Sequence, residues 1–370
     1  MPPSHATPLQ TPLEARHVAA GAQLTEFGGW MMPLRYGSDL AEHAAVRERA
    51  GLFDLSHMAE LRVRGAEAGA FLDHALSGRL SALEHGQARY TLLLAESGGI
   101  LDDLIVYRLG ETEWLVVANA GNRDVVVAAL AERVAGFDAT VVDETEEIAL
   151  VAVQGPASQA IVEAIGLESE PLDELRYYRV VEAIFEGEDV LVARTGYTGE
   201  DGFELYVPAH AAEDLWDALV RVGAPLGLVP CGLAARDTLR LEAGMPLYGH
   251  ELSVDTLPAQ VGVGRSVALR TKGAFVGREA VEAGPAEDAP VLVGLVAEGR
   301  RAGRAGYAVV DGDAEVGVVT SGALSPTLGH PIAMALVRPG HSGSLAIDVR
   351  GTRIPVSIVD LPFYRRQERA

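Results

Sequence analysis

Residues 88–118 read ARYTLLLAESGGILDDLIVYRLGETEWLVVA and contain three apolar runs rich in β-forming side chains. The breaks at Ser97-Gly98-Gly99 and Gly110-Glu111 are too short to hold a helix. Three consecutive strands joined by tight turns form a meander, which excludes the strand–helix–strand unit of a dinucleotide-binding fold. Because helical patterns occur elsewhere in the chain, the segment predicts an α+β fold.

The flanking sequence extends this pattern in both directions. Helices are predicted at residues 66–76, 124–134, 213–222 and 233–242, and strands at 60–64, 148–154, 180–194 and 203–207. In the first 50 residues we expect an opening loop and one helix, which begins near Ser38 and ends before Gly51. Residues 284–289 form the best candidate for a linker. Short strands separated by glycine follow at 290–363, which predicts a small all-β domain or barrel.

Length and charge limit the class of protein. The 370 residues suit two or three domains, and the hydrophobic fraction of 48% excludes a disordered chain. A net charge of −22 excludes binding to nucleic acid through a general positive surface. The uncharged stretch at residues 316–337 is too rich in turn residues for a membrane helix, so we expect two strands and a loop.

Cysteine and histidine usage bears on compartment and metals. The single cysteine, Cys231, allows no intramolecular disulfide, which fits a cytoplasmic location. Residues 1–20 lack the pattern of a secretion signal. The ten histidines have no metal-binding spacing, so we expect no metal. His57, beside Ser56, is predicted to be structural, since no third member of a catalytic triad is evident.

Two adjacent acids, Asp102 and Asp103, lie inside the middle run of the meander. Neighbouring side chains of a strand point to opposite faces, so these carboxylates cannot act as a pair. Asp103 shares its face with apolar or aromatic residues, which predicts that it is the more buried acid and a candidate for chemistry. The alternative is that an acid here only accepts hydrogen bonds from the Gly98-Gly99 turn. That alternative stays open for Asp103 and is preferred for Asp102.

The glycine-rich segment at residues 194–206 is followed by a strand and not by a helix, which argues against a phosphate-binding loop. Composition alone favours an ordinary hairpin there. Glu204 lies just beyond the glycines and alternates with Phe203 and Leu205. A carboxylate at this place can accept two parallel N–H bonds from a planar, amidine-like group.

In the segment 231–244, Arg236 and Arg240 share one helical face. One interpretation is a surface helix with an Asp237–Arg240 pair. The other is an arginine that binds an anion. The residues by themselves leave both open.

Taken in order, these segments resemble the aminomethyltransferase (T-protein) family of the glycine cleavage system, and the resemblance covers nearly the whole chain. Its motifs are GGWMMPL at 28–34, EHAAVR at 42–47, FDLSHM at 53–58, GILDDL at 99–104, VQGP at 153–156, RTGYTGEDG at 194–202, GLAARD at 232–237, LRLEAG at 239–244, TSG at 320–322, SPTLG at 325–329 and PFYR at 362–365. Each motif is weak alone, whereas the ordered set is specific.

The resemblance implies three domains arranged as a cloverleaf around a central folate channel. Residues 8–283 would form the folate-binding region, as two intertwined α+β subdomains, and residues 290–366 a β-barrel. It also implies the reaction, in which a lipoyl-bearing H-protein presents an aminomethyl group on sulfur. The one-carbon unit moves to tetrahydrofolate, and the products are 5,10-methylenetetrahydrofolate, ammonia and the dihydrolipoyl H-protein.

The family pattern also assigns roles by position. Asp103 takes the catalytic position, where a carboxylate stabilises the positive charge that develops as the carbon–sulfur bond breaks. Glu204 resembles the acid that holds the N–H edge of the pterin. The remaining folate-binding positions are Tyr90, Val117, Asn119, Tyr197, Arg236 and, facing the glutamate tail with Arg366, Arg365. Arg265 stands where several relatives have tryptophan.

Two alternatives keep the fold and change the function. A folate-dependent demethylase of the dimethylsulfoniopropionate type would take a methyl group from a small sulfonium. A non-catalytic folate-binding factor of the assembly or tRNA-modification class would carry a cysteine-centred motif, and here Thr195-Gly196-Tyr197 occupies that region while Cys231 lies elsewhere.

Overall fold

The computed structural model describes residues 7–341 and 343–366. Its strands, in chain order, are β1 (Leu9–Gln10), β2 (Gln23–Phe27), β3 (Trp30–Arg35), β4 (Ala50–Asp54), β5 (Ala59–Arg64), β6 (Ala88–Leu94), β7 (Ile100–Arg108), β8 (Glu113–Ala118), β9 (Thr140–Asp143), β10 (Ile148–Gln154), β11 (Glu168–Ser169), β12 (Val180–Phe185), β13 (Glu188–Ala193), β14 (Gly202–Pro208), β15 (Leu228–Pro230), β16 (Val291–Ala297), β17 (Ala308–Asp311), β18 (Ala314–Leu324), β19 (Pro331–Val337), β20 (Leu345–Val349) and β21 (Thr352–Val359). The α-helices are α1 (Glu14–Ala19), α2 (Asp39–Glu48), α3 (Ala68–Ala75), α4 (Arg123–Arg133), α5 (Ser158–Ala164), α6 (Ala212–Gly223), α7 (Leu233–Glu242) and α8 (Arg278–Ala283).

The segment at residues 88–118 forms the predicted meander, with β6, β7 and β8 paired antiparallel in sequence order. Strands β5 and β9 complete a five-stranded sheet in the order β6-β7-β8-β5-β9. Helices α3 and α4 cover one face of this sheet. There Leu72 and Val126 pack on Leu104, Val106 and Trp114 in a buried apolar core.

A second, seven-stranded sheet has the order β11-β12-β13-β14-β10-β4-β15. Its pairs are antiparallel except for β15, which runs parallel to β4. Helices α5 and α6 cover one face, where Ile161, Leu215 and Trp216 pack on Val151 and Phe203.

The uncovered faces of the two sheets pack on each other in a central layer. Tyr107 and Val117 come from the five-stranded sheet, and Phe53, Ala152 and Tyr206 from the seven-stranded sheet. Because each sheet buries its other face under helices, polar side chains that point inward from either sheet meet in this central layer.

The first 50 residues differ from the expectation of an opening loop with one helix. Helix α2 begins as predicted, since the Ser38 side chain accepts a hydrogen bond from the Ala41 N–H at 3.3 Å. The rest of this region is not a loop, because β1, β3 and β2 form a three-stranded sheet. Gly28 and Gly29 join β2 to β3. Both adopt positive φ, as the type I′ turn of a two-residue hairpin requires.

The C-terminal region is the predicted barrel. Six strands close in the order β16-β19-β18-β17-β20-β21 around a core that includes Leu295, Val309, Ala335 and Ile347. The predicted pair of strands at residues 316–337 is also present, as β18 and β19. Helix α8, just before the linker segment, was not predicted. No helix in the described ranges is long and apolar enough to cross a membrane.

Candidate functional site

Asp102 of β7 is held on the face that packs under α3 and α4. Its side chain accepts three hydrogen bonds, from the Asn119 N–H at 3.0 Å, the Asn119 Nδ2 at 2.8 Å and the Asn122 Nδ2 at 2.6 Å. The alternative preferred for Asp102, hydrogen bonds from the Gly98-Gly99 turn, is therefore wrong in its donors, which are these two asparagines.

The prediction that Asp103 is the more buried acid is wrong. Asp102 is fully buried, whereas Asp103 is partly exposed. The reason is that both faces of β7 are covered. The Asp102 face packs under helices, whereas Leu92, the strand neighbour of Asp103, packs on the 248–275 segment together with Tyr90.

Asp103 is oriented by two donors. The Tyr90 hydroxyl donates to its Oδ2 at 3.1 Å, and Asn119 Nδ2 donates to its Oδ1 at 2.8 Å. Asn119 therefore bridges both acids and fixes their relative position. Burial raises the pKa of Asp103, and the bonds from Tyr90 and Asn119 oppose that rise. The result is a fixed carboxylate that retains access to solvent.

Glu204 lies on β14, between Ala193 of β13 and Ala152 of β10. Its side chain is buried, and the Thr195 hydroxyl donates a short hydrogen bond to its Oε2. Burial raises the pKa of Glu204, while the Thr195 bond and the charge of Arg236 lower it. A carboxylate in so apolar a strand pair is well placed to bind a planar N–H edge.

Arg236 of α7 stacks on Tyr197, with its Cζ 4.9 Å from the ring centroid. The Tyr197 hydroxyl donates to the Pro246 carbonyl, which fixes the ring. Burial lowers the pKa of Arg236, and the Glu204 charge acts in the opposite direction. Its Nη1 is buried and has no hydrogen-bond partner within the described residues. An unsatisfied buried donor costs about 1–3 kcal/mol, which an acceptor on a ligand would recover.

The contacts of Arg240 test the interpretation of this segment as a surface helix with an Asp237–Arg240 pair. It does pair with Asp237 at 2.8 Å, but it is fully buried and also binds Glu251 at 3.0 Å and Ser321 at 2.7 Å. The helix is therefore not a simple surface helix. Arg240 ties it to the barrel, and Arg236 on the same helix keeps a free donor.

The structure brings most of the predicted residues together. Register places Tyr90 opposite Ile105 and Ile105 opposite Val117, so these three share the Asp103 face of the sheet. The charges of Asp103 and Arg236 both act on the pKa of Tyr197. The contacts thus form two groups: Asp103, Tyr90, Asn119 and Val117 lie together on the five-stranded sheet, and Tyr197 stacks on Arg236. The charge of Arg236 also acts on Glu204.

Three further arginines that the sequence singles out make no hydrogen bond or ion pair with these site residues within the described ranges: Arg365, Arg366 and Arg265. Arg365 is exposed and has no hydrogen bond or ion pair in the part of the chain that the structure describes. Its neighbour Arg366 lies 3.6 Å from Asp201. Arg265 is exposed on a 3-10 turn. The proposed roles of Arg365 and Arg366 stay predictions.

Sequence reasoning missed Tyr178. Its φ of 61° is in the left-handed region, which is unusual for a bulky residue and common at functional sites. Backbone bonds hold it there, to the Arg194 carbonyl at 3.0 Å and from the Ala88 N–H at 2.9 Å. Burial raises the pKa of its hydroxyl, and the charges of Tyr177, Glu204 and Asp103 add to that rise. No local sequence signal predicts such a conformation, because long-range strand pairing imposes it.

His57 is buried, as a structural residue should be, but its Nδ1 lacks a partner in the described ranges. Burial lowers its pKa to about 4, so its ring is neutral. No group of three or more metal-ligating side chains occurs within residues 7–341 and 343–366.

The chain is similar to known proteins over nearly all of its length. A family model described as "GCVT N-terminal domain" matches residues 13–271, and one described as "Glycine cleavage T-protein C-terminal barrel domain" matches residues 291–365. A Cutibacterium acnes protein named "Aminomethyltransferase" is 56% identical, over 96% of this chain and 98% of its own. A protein of the same name from Streptomyces avermitilis is 56% identical over 98% and 99%. The crystal structure of "glycine cleavage system aminomethyltransferase T" from Bartonella henselae superposes with a TM-score of 0.87, at 38% identity over 96% of this chain and 98% of that one.

Proposed function

Because this chain belongs to the glycine cleavage T-protein family, we propose that its site transfers a one-carbon unit from a carrier protein to tetrahydrofolate. It acts as an aminomethyltransferase of the glycine cleavage system. The carbon–sulfur bond of the aminomethylated lipoyl arm breaks, and the sulfur leaves as a thiol after it takes up a proton. The carbon becomes bonded to two nitrogens of the folate, and its amino group leaves as ammonia.

The partly exposed Asp103 carboxylate, held by Tyr90 and Asn119, is the observation that carries this proposal. As sulfur departs with the bonding electrons, the carbon becomes positive, and a fixed carboxylate stabilises that charge without having to reorient. Asn119 and Tyr90 position Asp103, since they donate to both of its oxygens.

Glu204 and Arg236 suit the two kinds of polar group on a folate. The pterin ring presents a planar edge of N–H donors, for which the buried Glu204 carboxylate is an acceptor. Arg236 supplies a cation and an unpaired Nη1 for acceptor or anionic groups. Tyr197 and Val117 would line the apolar sides, and Arg365 with Arg366 would meet the glutamate tail.

We propose the lipoyl H-protein as the transient partner and the division of the chain into residues 8–283 and 290–366. The alternatives of a sulfonium demethylase and a non-catalytic folate-binding factor are not favoured. The curated relatives that match nearly the whole chain are named aminomethyltransferases.

The test is ammonia and methylenetetrahydrofolate formation by the purified chain from aminomethylated lipoyl carrier. Both products should form in equal amounts and only when carrier and tetrahydrofolate are present together. Thioether release from a small sulfonium, with no ammonia from the carrier, would instead support the demethylase. Folate binding without turnover on any carrier would support the binding factor.

A further inference from the structure

A line of buried hydroxyl groups ends at Glu204. The Tyr206 hydroxyl donates to the Tyr107 hydroxyl at 3.1 Å, and the Tyr107 oxygen lies 3.2 Å from the Thr195 Oγ1. Thr195 then donates to Glu204 Oε2. All four side chains are at most 7% exposed, so bulk water does not compete for these bonds.

The direction of each bond follows from proton counting. An ionised carboxylate only accepts, so Thr195 must donate to Glu204. A hydroxyl has a single proton, so Thr195 must accept from Tyr107, and Tyr107 in turn accepts from Tyr206. The three O–H groups therefore all point toward one negative charge, and each polarises the next.

We propose that Tyr206, Tyr107 and Thr195 form a positioning chain that keeps Glu204 ionised and oriented for the pterin edge. This inference rests on the proposed function, in which Glu204 binds the folate. None of the three hydroxyls was among the predicted site residues. Thr195 at the end of the chain donates to Oε2 of Glu204.

The charges around Glu204 explain why such a chain is needed. Strands β10 and β13 put only Ala152 and Ala193 beside it, and burial raises its pKa. Arg236 lowers that pKa by its charge, yet no ion pair within 4.0 Å joins the two among the described residues. The donors therefore stabilise the anion while Arg236 remains free for the ligand.

The other titratable groups around Glu204 are Arg236, four phenols, Glu60 and, acting on one of the phenols, Asp103. The phenols that feel the charge of Glu204 are Tyr107, Tyr177, Tyr178 and Tyr206, and burial raises the pKa of each. Glu60 acts on Tyr206 at the far end of the chain. Burial raises the pKa of Glu60 well above the usual range, which favours its neutral form. In the part of the chain that the structure describes, Glu204 is then the carboxylate to which this line of hydroxyls donates.

The experiment is a calorimetric titration of the full chain with tetrahydrofolate, under anaerobic conditions, between pH 5.5 and 8.5. Affinity should fall on the acid side as Glu204 takes up a proton. Thr195→Val removes the first donor and should move the midpoint of this fall upward by about one pH unit. Tyr107→Phe should move it less and Tyr206→Phe least. Thr195→Ser keeps the hydroxyl and should restore the parent midpoint.

Tyr36→Phe is the matched control. It removes one phenol hydroxyl, which contacts His17 Nδ1 at 2.8 Å, away from the chain. Its midpoint should equal that of the parent. Asp103→Asn and Asp102→Asn, measured in parallel, mark the contributions of two further carboxyls whose pKa burial raises, that of Asp102 to about 7.

Two outcomes separate this proposal from the proposed function. If folded Thr195→Val weakens binding equally at every pH, or not at all, the positioning chain is refuted. If Glu204→Gln binds tetrahydrofolate as the parent does, the assigned role of Glu204 fails first. If Glu204→Gln loses binding but the hydroxyl variants keep the parent midpoint, the positioning chain is refuted and the role of Glu204 in folate binding stands.

Discussion

At the scale of single residues, Asp103 carries the chemistry that we propose. Asp103→Asn keeps the shape and the two donors' positions but removes the negative charge. We expect kcat to fall on the order of 100-fold, because stabilisation of the developing positive charge is lost. Tetrahydrofolate affinity and thermal unfolding should stay close to the parent. Turnover at the parent rate in this variant would contradict the assignment.

The same carboxylate predicts the pH profile of the parent. Burial raises the pKa of Asp103, and the reactive form is the ionised one. Turnover should therefore fall with decreasing pH at a higher pH than an ordinary aspartate would give. Asn119→Ala removes a donor that favours the ionised form, so the acid limb of kcat should move to still higher pH.

Substitution of the neighbouring Asp102 should instead lower stability more than turnover. Asp102→Asn brings an amide N–H₂ group against donors from Asn119 and Asn122, within a fully buried site. We expect a loss of about 1–3 kcal/mol in unfolding free energy. The remaining folded enzyme should turn over better than Asp103→Asn. Urea unfolding and kcat, measured on both variants, distinguish the two acids, and a stable Asp102→Asn with lost turnover would reverse their roles.

At the scale of elements, Glu60 on β5 has a predictable effect on stability. It is fully buried, neither of its oxygens has a hydrogen-bond partner among the described residues, and burial raises its pKa well above the usual range. Between its unfolded and folded pKa values, the folded chain keeps a proton that the unfolded chain has released. Stability therefore falls as pH rises through this window, by up to about 1.4 kcal/mol per pH unit.

Glu60→Gln removes that slope. In urea unfolding at pH 5.5 and 7.5, the variant should lose less stability on going to the higher pH than the parent does. Glu287→Gln, at an exposed glutamate of the linker segment, is the control and should leave the difference unchanged. Identical pH dependence in Glu60→Gln and the parent would mean that Glu60 is ionised in the folded state.

The spacing of apolar residues predicted where strands and helices lie better than it predicted which of their side chains are buried. The bounds predicted for β10 and α7 match the structure, because each has an unbroken pattern and a clear stop. The face that Asp103 shares was also correct, since alternation depends on the backbone alone. The predicted burial of Asp103 relative to Asp102 was wrong. The alternation of side chains along a strand does not show which of two covered faces packs against helices. Only the partner sheet, distant in sequence, decides that.

The positions of Glu204 and Arg236 came from their motifs, but their partners did not. The hydroxyl chain joins β14 to β7 and to the loop after β13, and Tyr206 and Tyr107 are separated by 99 positions in the sequence. Tyr178 has its positive φ because its backbone bonds to Arg194 and Ala88. Contacts of this range arise when sheets pack, so no local pattern contains them.

At the scale of the whole molecule, the net charge of −22 says little about the ligand. The proposed substrate is itself an anion, and what suits it is a local cation, Arg236, with a free donor. Global charge does constrain how the parts are held together. Across the contact between α2, α7 and the barrel, buried acids are paired with arginine or histidine.

Glu242 at the end of α7 is the centre of that contact. Arg47 Nη2 of α2 lies 2.8 Å from its Oε2, and Thr327 of the barrel donates to the same oxygen at 2.7 Å. Ser325 donates to its Oε1, and His43 Nε2 lies 3.2 Å from Oε2. Burial alone would raise the pKa of Glu242, but these partners hold it at about 2. The barrel is thus tied to both helices through one carboxylate.

Glu242→Ala should therefore destabilise the whole molecule by about 3 kcal/mol, because Arg47, His43 and Ser325 lose a buried acceptor while Arg47 keeps its pair with Glu200 at 3.0 Å. The matched control is Asp313→Ala, which breaks an exposed barrel pair with Arg353 at 2.8 Å and should cost less than about 1 kcal/mol. Urea unfolding followed by tryptophan fluorescence measures both. All three tryptophans lie before residue 284, so this signal reports the N-terminal region and not the barrel. A loss confined to barrel proteolysis, with the fluorescence midpoint unmoved, would show that Glu242 stabilises only the barrel side of the contact.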